Sequence, residues 1–293
     1  MPTQQHTPSS QSERTEPMYP PDEAARHASG AAPLLKAAWR EWQSAFRLRT
    51  LWINFAIEDL RDRYRRTSIG LAWIVVSFAL FVLVKVTIFG KLSSASGLEF
   101  GLFVALGFAA WTFISAMVID ACTAYLHARP WMLGSAVPYP VYLLQTVFRN
   151  WLTFGLILGV VVPALAWKPT PWTPTMLWSL PALAAYLLTS LWLAAILAPL
   201  CVRYRDLHHA VQTFMRLLFF ATPILWLPSM DPGLAAIARL NPVSHYLALL
   251  RDPLLYNTLP LESWAVVVAI NAIGLPLGLF VYARTRREVV FWI

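Results

Sequence analysis

Charge is what this chain has least of. Only 13% of its 293 residues are Asp, Glu, Lys or Arg, while 58% are hydrophobic. A soluble domain carries about a quarter charged residues, so a water-soluble globular fold is excluded. The 14% aromatic content fits a polytopic membrane protein. Cysteine is nearly absent: Cys122 and Cys201 both fall at the ends of apolar runs. Two thiols so placed suit neither a disulfide framework nor a zinc site. No GxxxxGKS or GxxxxGKT phosphate loop occurs, so the chain lacks the usual means of binding ATP. HExxH, CxxC and GxSxG are missing too. Acidic residues are few and lie mostly at span ends or in the N-terminal tail, without the clustered carboxylates or metal that glycosyl or phosphoryl chemistry needs. His208 and His209 are adjacent and point to different faces of a helix, a poor metal pair. The polar N-terminus has no apolar core close to it, so no cleavable signal peptide is expected.

What the chain does have is a sharp boundary. The basic run Arg61, Arg63, Arg65 and Arg66 stops abruptly, and an apolar segment runs from Ile69 to about Gly90. Spanning a bilayer takes ~20 apolar helical residues. The arginines mark the side facing anionic cytoplasmic lipid. Five more apolar runs follow, at Phe100–Thr123, Pro140–Trp167, Met176–Cys201, Val211–Trp226 and Trp264–Ala283. Six spans put both termini on one side, the cytoplasmic one. The opposite side holds only Lys91, Lys168, Arg239 and Arg251 of the 23 basic residues, with Lys85 and Arg216 inside spans. The net charge of +8 is thus a positive-inside bias and not a nucleic-acid surface.

Residues 1–33, rich in Pro, Ser, Gln and Ala, bury too little to offset their ordering entropy and are expected to be a disordered cytoplasmic tail. Over 34–66, Leu35, Trp39, Trp42, Phe46, Leu48, Trp52 and Phe55 recur at helical spacing opposite Lys and Arg. That predicts an amphipathic helix, lying on the membrane surface or packed on protein. Residues 67–293 form the membrane domain. Within it, residues 227–263 break into short apolar pieces at Asp231-Pro232-Gly233, Asn241-Pro242 and Asp252-Pro253. Each piece is too short to span, which predicts two short re-entrant helices or a pair lying flat outside.

Ionisable residues within spans are functional candidates. Lys85 can snorkel outward or serve a pathway. Asp120 can pair with a basic residue. Arg149 and Asn150 lie deep enough to face a polar path or another subunit. Trp73, Phe78, Phe81, Trp111 and Phe113 are aromatic faces that could stack on sugar rings or simply pack.

The ordered set of a surface helix, RYRRTSIGLAWIVVS, FVALGFAAWTFISAMVIDACTAYL, RYRD after the fourth span, LNPVSHYLALLRDPLL and an Arg-rich end closing in FWI resembles the permease subunit of ABC-2 type polysaccharide exporters, the O-antigen and capsule export group. The resemblance covers about residues 40–293. It implies an all-α integral membrane fold: an amphipathic helix, six transmembrane helices, and re-entrant helices between spans 5 and 6. It implies a homodimer in the bacterial inner membrane, two separate ATP-binding cassette subunits that hold ATP and Mg, and no cofactor in this chain. The cargo would be a lipid-linked polysaccharide, and periplasmic export partners could extend the path. On the resemblance, Arg61, Arg63, Arg65 and Arg66 are candidate lipid-phosphate contacts. Trp73, Phe78, Phe81 and Trp111 are candidate channel-lining aromatics. Tyr125, His127, Arg129 and Trp131 form the candidate ATPase-coupling region, and Arg205 and Asp206 a candidate gate. The alternatives are an exporter of the same architecture for teichoic acid, lipid or drug, and an integral-membrane glycan-processing enzyme.

Overall fold

The computed structural model describes residues 31–90, 97–167, 171–228 and 231–293, and every regular element among them is helical. Up to residue 30 the expected tail lies outside the described residues, as do Lys91, Lys168 and the rest of 91–96 and 168–170. The segment expected as one amphipathic helix over 34–66 is two helices, α1 (Ala31–Arg47) and α2 (Arg49–Tyr64). They join at Leu48, where the Trp52 indole donates to the Ala45 carbonyl at 3.2 Å. In α1, Ala38, Trp42 and Ala45 are buried on protein, while Trp39 and Phe46 are exposed.

Next come α3 (Ala72–Phe89), α4 (Gly97–Gly134), α5 (Pro140–Ala164), α6 (Ser179–Arg203), α7 (Arg205–Ala221), α8 (Pro232–Leu240), α9 (Pro242–Arg251), α10 (Leu261–Thr285) and the short α11 (Val289–Trp292). Gly70 makes the elbow between α2 and α3 at φ +57°, backbone that glycine adopts without steric cost. Among the described residues, five segments are long and apolar enough to cross a membrane: Ala72–Phe89, Leu98–Gly134, Pro140–Trp167, Pro174–Arg203 and Leu261–Thr285.

The expected span over Val211–Trp226 is not among these five. Helix α7 has 17 residues and carries Arg205, Asp206 and Arg216. It stops because Thr222 precedes Pro223 and takes an extended conformation, φ −99° and ψ 134°, as the proline ring requires of the residue before it. The stretch between the apolar runs that end at Thr123 and start at Pro140 is largely helical, since α4 continues through Pro130 to Gly134.

The Asp-Pro-Gly and Asn-Pro breaks become helix starts. The Asp231 carboxylate caps α8, accepting from the Gly233 amide at 2.7 Å, and the Asn241 side chain caps α9, accepting from the Val243 amide at 2.9 Å. Pro232 and Pro242 occupy the first helical position, where a missing N–H costs nothing. The Asn241 amide also donates to the Ala221 carbonyl at 3.1 Å and to Thr222 Oγ1 at 2.9 Å, so the α8–α9 joint sits against the end of α7.

Helices α6 and α10 meet where Trp192 lies across Gly274 and Gly278. A Cβ on Gly278 would come 2.8 Å from Trp192 Cβ, and one on Gly274 would strike the indole ring. Small residues four apart let helix backbones approach in an apolar medium where hydrophobicity itself gives no drive. Two cores result. One surrounds Phe113, Phe154, Tyr186 and Leu247; the other, beneath α1, surrounds Trp42, Tyr125, Tyr142 and Tyr282.

Candidate functional site

Helix α2 brings Phe55, Glu58, Asp59, Asp62 and Arg63 to one side, at the spacing that stacks residues on a helix face. With His127 and Trp131 from the end of α4, and Gln145, Thr146 and Arg149 of α5, they line a polar cavity of about 500 Å³. Its floor is an ionic cluster. The buried Arg149 guanidinium donates to Asp59 and, at 2.7 Å, to Asp120 of α4. The Asn150 amide donates to the same Asp120 oxygen and to the Thr146 carbonyl, both at 3.0 Å. A lone arginine at that depth is costly. Two carboxylates offset the cost here, and the surface helix is thereby tied to two spans. A second tie joins the end of α10 to α1, from Arg286 to Glu41 at 2.7 Å. Beside it, burial pushes the Tyr139 phenol above its ordinary pKa, and the Glu41 carboxylate adds to the effect.

Arg63 also borders a second cavity, of about 630 Å³, which runs along α3 past Trp73, Phe78 and Phe81, with Phe108 and Thr112 of α4 and Thr153 of α5 opposite. Phe108 stacks on Phe81 at 4.6 Å and on Phe78 at 5.7 Å. Beyond them Lys85 does not snorkel outward. Its ammonium lies 4.4 Å, 5.0 Å and 4.5 Å from the Phe81, Phe108 and Phe219 rings, which join α3, α4 and α7 through cation–π attraction.

The structure therefore gathers three of the four candidate aromatics, Trp73, Phe78 and Phe81, on one groove. Trp111 stands apart, buried edge-on against Phe219 at 5.4 Å. The four arginines also divide. Arg63 faces the two cavities just described; Arg61 and Arg65 line a separate recess at the α2–α3 elbow; Arg66 is exposed. The ion pairs Arg63–Asp59 and Arg65–Asp62, each 3.9 Å, are exposed and contribute little. In the coupling region, His127 and Trp131 border the polar cavity, with Trp131 5.6 Å from Phe55. Arg129 is exposed, and Tyr125 is buried in the inner core. Arg205 and Asp206 are exposed in the first turn of α7, away from both cavities. Asp59 and Phe108 are the residues sequence reasoning missed. Asp59 shares the spacing of Phe55 and Arg63 on α2, a usable signal; Phe108 had none beyond its place in an apolar run.

Comparison with known proteins gives a consistent result. The family model of the ABC-2 type transporter matches residues 38–255, from α1 to just past α9. The chain is 28% identical over 230 residues to the O-antigen export system permease protein RfbA of Myxococcus xanthus, covering 76% of this chain and 88% of that one. Two proteins of the same description from Klebsiella pneumoniae are 23% and 21% identical, each covering 78% of this chain and 89% of its own length.

Proposed function

The chain belongs to the ABC-2 type transporter family, and from that premise we propose that it is the membrane subunit of an ATP-driven exporter of lipid-linked polysaccharide, of O-antigen or capsule type. The observation that carries the reading is the position of Arg63, which faces both the polar cavity beside the end of α4 and the aromatic groove along α3. The Arg63 guanidinium where the two cavities meet, with Arg61 and Arg65 in the neighbouring recess, suits the phosphate of a lipid carrier. Flat rings beyond them offer weak, repeated stacking faces to a sugar chain. A tight site would stall a processive cargo. The cargo class rests on the O-antigen permeases that the chain resembles.

In this reading the protein works as a homodimer in the bacterial inner membrane, with both termini cytoplasmic. Two ATP-binding cassette subunits hold ATP and Mg and perform the hydrolysis, while this chain is a permease and not an enzyme. Helix α7 completes six crossings, and α8 and α9 form the re-entrant pair. Trp131 and Phe108 belong to one continuous helix, about 35 Å apart at 1.5 Å per residue. A push by the nucleotide-binding subunits at His127 and Trp131 would therefore reach the groove as a rigid-body shift. The Arg149 cluster would carry α2 and α5 along with it.

Co-expression with candidate ATP-binding subunits encoded beside this chain tests the reading. The expected outcome is an equimolar complex whose ATP hydrolysis is stimulated by lipid-linked glycan, with the chain alone inert. Hydrolysis or glycan modification by the chain without a partner would overturn it.

A further inference from the structure

We propose that a slot between α4, α6, α7 and the tip of α9 holds a single acyl chain of a membrane lipid. The slot has a volume of about 320 Å³. Its floor is the buried Phe113, Met117 and Tyr186, and its half-buried walls are Leu193 and Val211. At the rim, Phe214 of α7 is 60% exposed, and Pro242, at the α8–α9 joint, is exposed as well. An apolar cavity of about 150 Å³ already stays dry and takes up benzene, and this one is twice that size.

The walls decide the chemistry of the occupant. Every polar side chain among them is already engaged within the protein. The Thr189 hydroxyl donates to the Ala185 carbonyl and shares a 2.6 Å hydrogen bond with the Tyr246 hydroxyl. Ser190 donates to the Tyr186 carbonyl at 2.8 Å, and the Tyr186 hydroxyl donates to the Tyr246 carbonyl at 2.8 Å. The Trp192 indole N–H donates to Asn271 at 3.1 Å. A trapped water needs two to four polar partners, and a sugar needs more; the slot offers neither. The slot lies between α4 and α6, each within a segment of membrane-spanning length, so the medium that can fill it is hydrocarbon.

An acyl chain seated there would separate α7 from α6 and support the Asn241–Pro242 joint from below. The site is distinct from the aromatic groove and does not depend on the cargo.

The test uses the full chain in vesicles of phosphatidylethanolamine and phosphatidylglycerol with a photoactivatable diazirine midway along one acyl chain. After irradiation, mass spectrometry maps the adducts. Adducts are expected at Met117 and Leu193 as well as at the exposed Leu180 and Ile273. In the filled variant Leu193→Trp/Val211→Phe, adducts at Met117 should fall at least fivefold while those at Leu180 and Ile273 stay unchanged. Should that variant fail to fold, Val211→Phe alone should lower Met117 labelling at least twofold. Labelling confined to Leu180 and Ile273 in the native chain would overturn the proposal. So would Met117 adducts that persist undiminished in a folded, filled variant. Neither result bears on export, which the co-expression experiment reads separately.

Discussion

Helices α3 and α4 are both apolar spans built largely from Val, Leu, Ala and Phe, yet they are used in opposite ways. In α4, 61% of the apolar window is buried, against 17% in α3. Helix α4 runs through the middle of the bundle, with Val104, Leu106, Ala109 and Ala110 fully buried. Helix α3 leaves Leu80, Leu83 and Ile88 more than half exposed. In lipid such exposure costs little, because acyl chains are as apolar as leucine. Yet α3 is also the span that carries Lys85 and three rings of the aromatic groove. On the proposed function, the packed helices hold position and α3 at the edge of the bundle meets the cargo. Substitutions should separate the two: stability should fall at the packed positions and export at the rim.

The largest loss of stability is expected from Arg149→Met, which leaves the Asp59 and Asp120 carboxylates facing each other without their cation. Breaking a buried ion pair costs about 3 kcal/mol or more, and the loss should be read as a lowered unfolding temperature in detergent. The double change Asp120→Leu/Arg149→Met should recover part of it. Next comes Gly274→Val. Its side chain would meet the Trp192 indole and force α6 from α10, at a cost of about 2 kcal/mol, seen in the same assay. At the rim, Phe81→Ala removes one ring stacked on Phe108 and one face of the Lys85 cage. Stability should change by about 1 kcal/mol, while export in the assembled complex falls by up to about tenfold, the equivalent of one lost stacking face. The smallest effect belongs to Arg66→Ala, which touches no cavity and should move stability by less than about 0.5 kcal/mol with export near normal. A large stability loss from Phe81→Ala, or none from Gly274→Val, would break the contrast between rim and core.

Much of the architecture was legible in the sequence. Pro140–Trp167 is the third apolar run and a span-length segment with the same bounds, since Pro138 and Pro140 mark its start and Trp167 its end. The Asp-Pro and Asn-Pro breaks at 231 and 241 foretold two short helices, because each dipeptide caps a helix and starts it. The fifth span was harder to judge, because apolarity continues across Thr222-Pro223 while the backbone does not. The apolar run that ends at Thr123 continues as helix to Gly134, because the polar residues after it share the helix and α4 carries Pro130 internally. Of the site, Asp120 was expected to pair with a basic residue, and it pairs with Arg149. That Asp59 would arrive from the surface helix, 90 residues away along the chain, depends on tertiary packing that local periodicity does not carry. The separation of Trp111 from Trp73, Phe78 and Phe81 has the same origin: a ring's address is set by which helix it faces, and no single-chain pattern states that.

If cargo passes along the α3 groove, a photoreactive phenylalanine analogue at position 81 will meet it. In actively exporting cells, irradiation should trap lipid-linked glycan at position 81. The same analogue at position 273, exposed on α10, should trap lipid without glycan. Glycan captured equally at both positions, or at neither while export proceeds, would contradict the account.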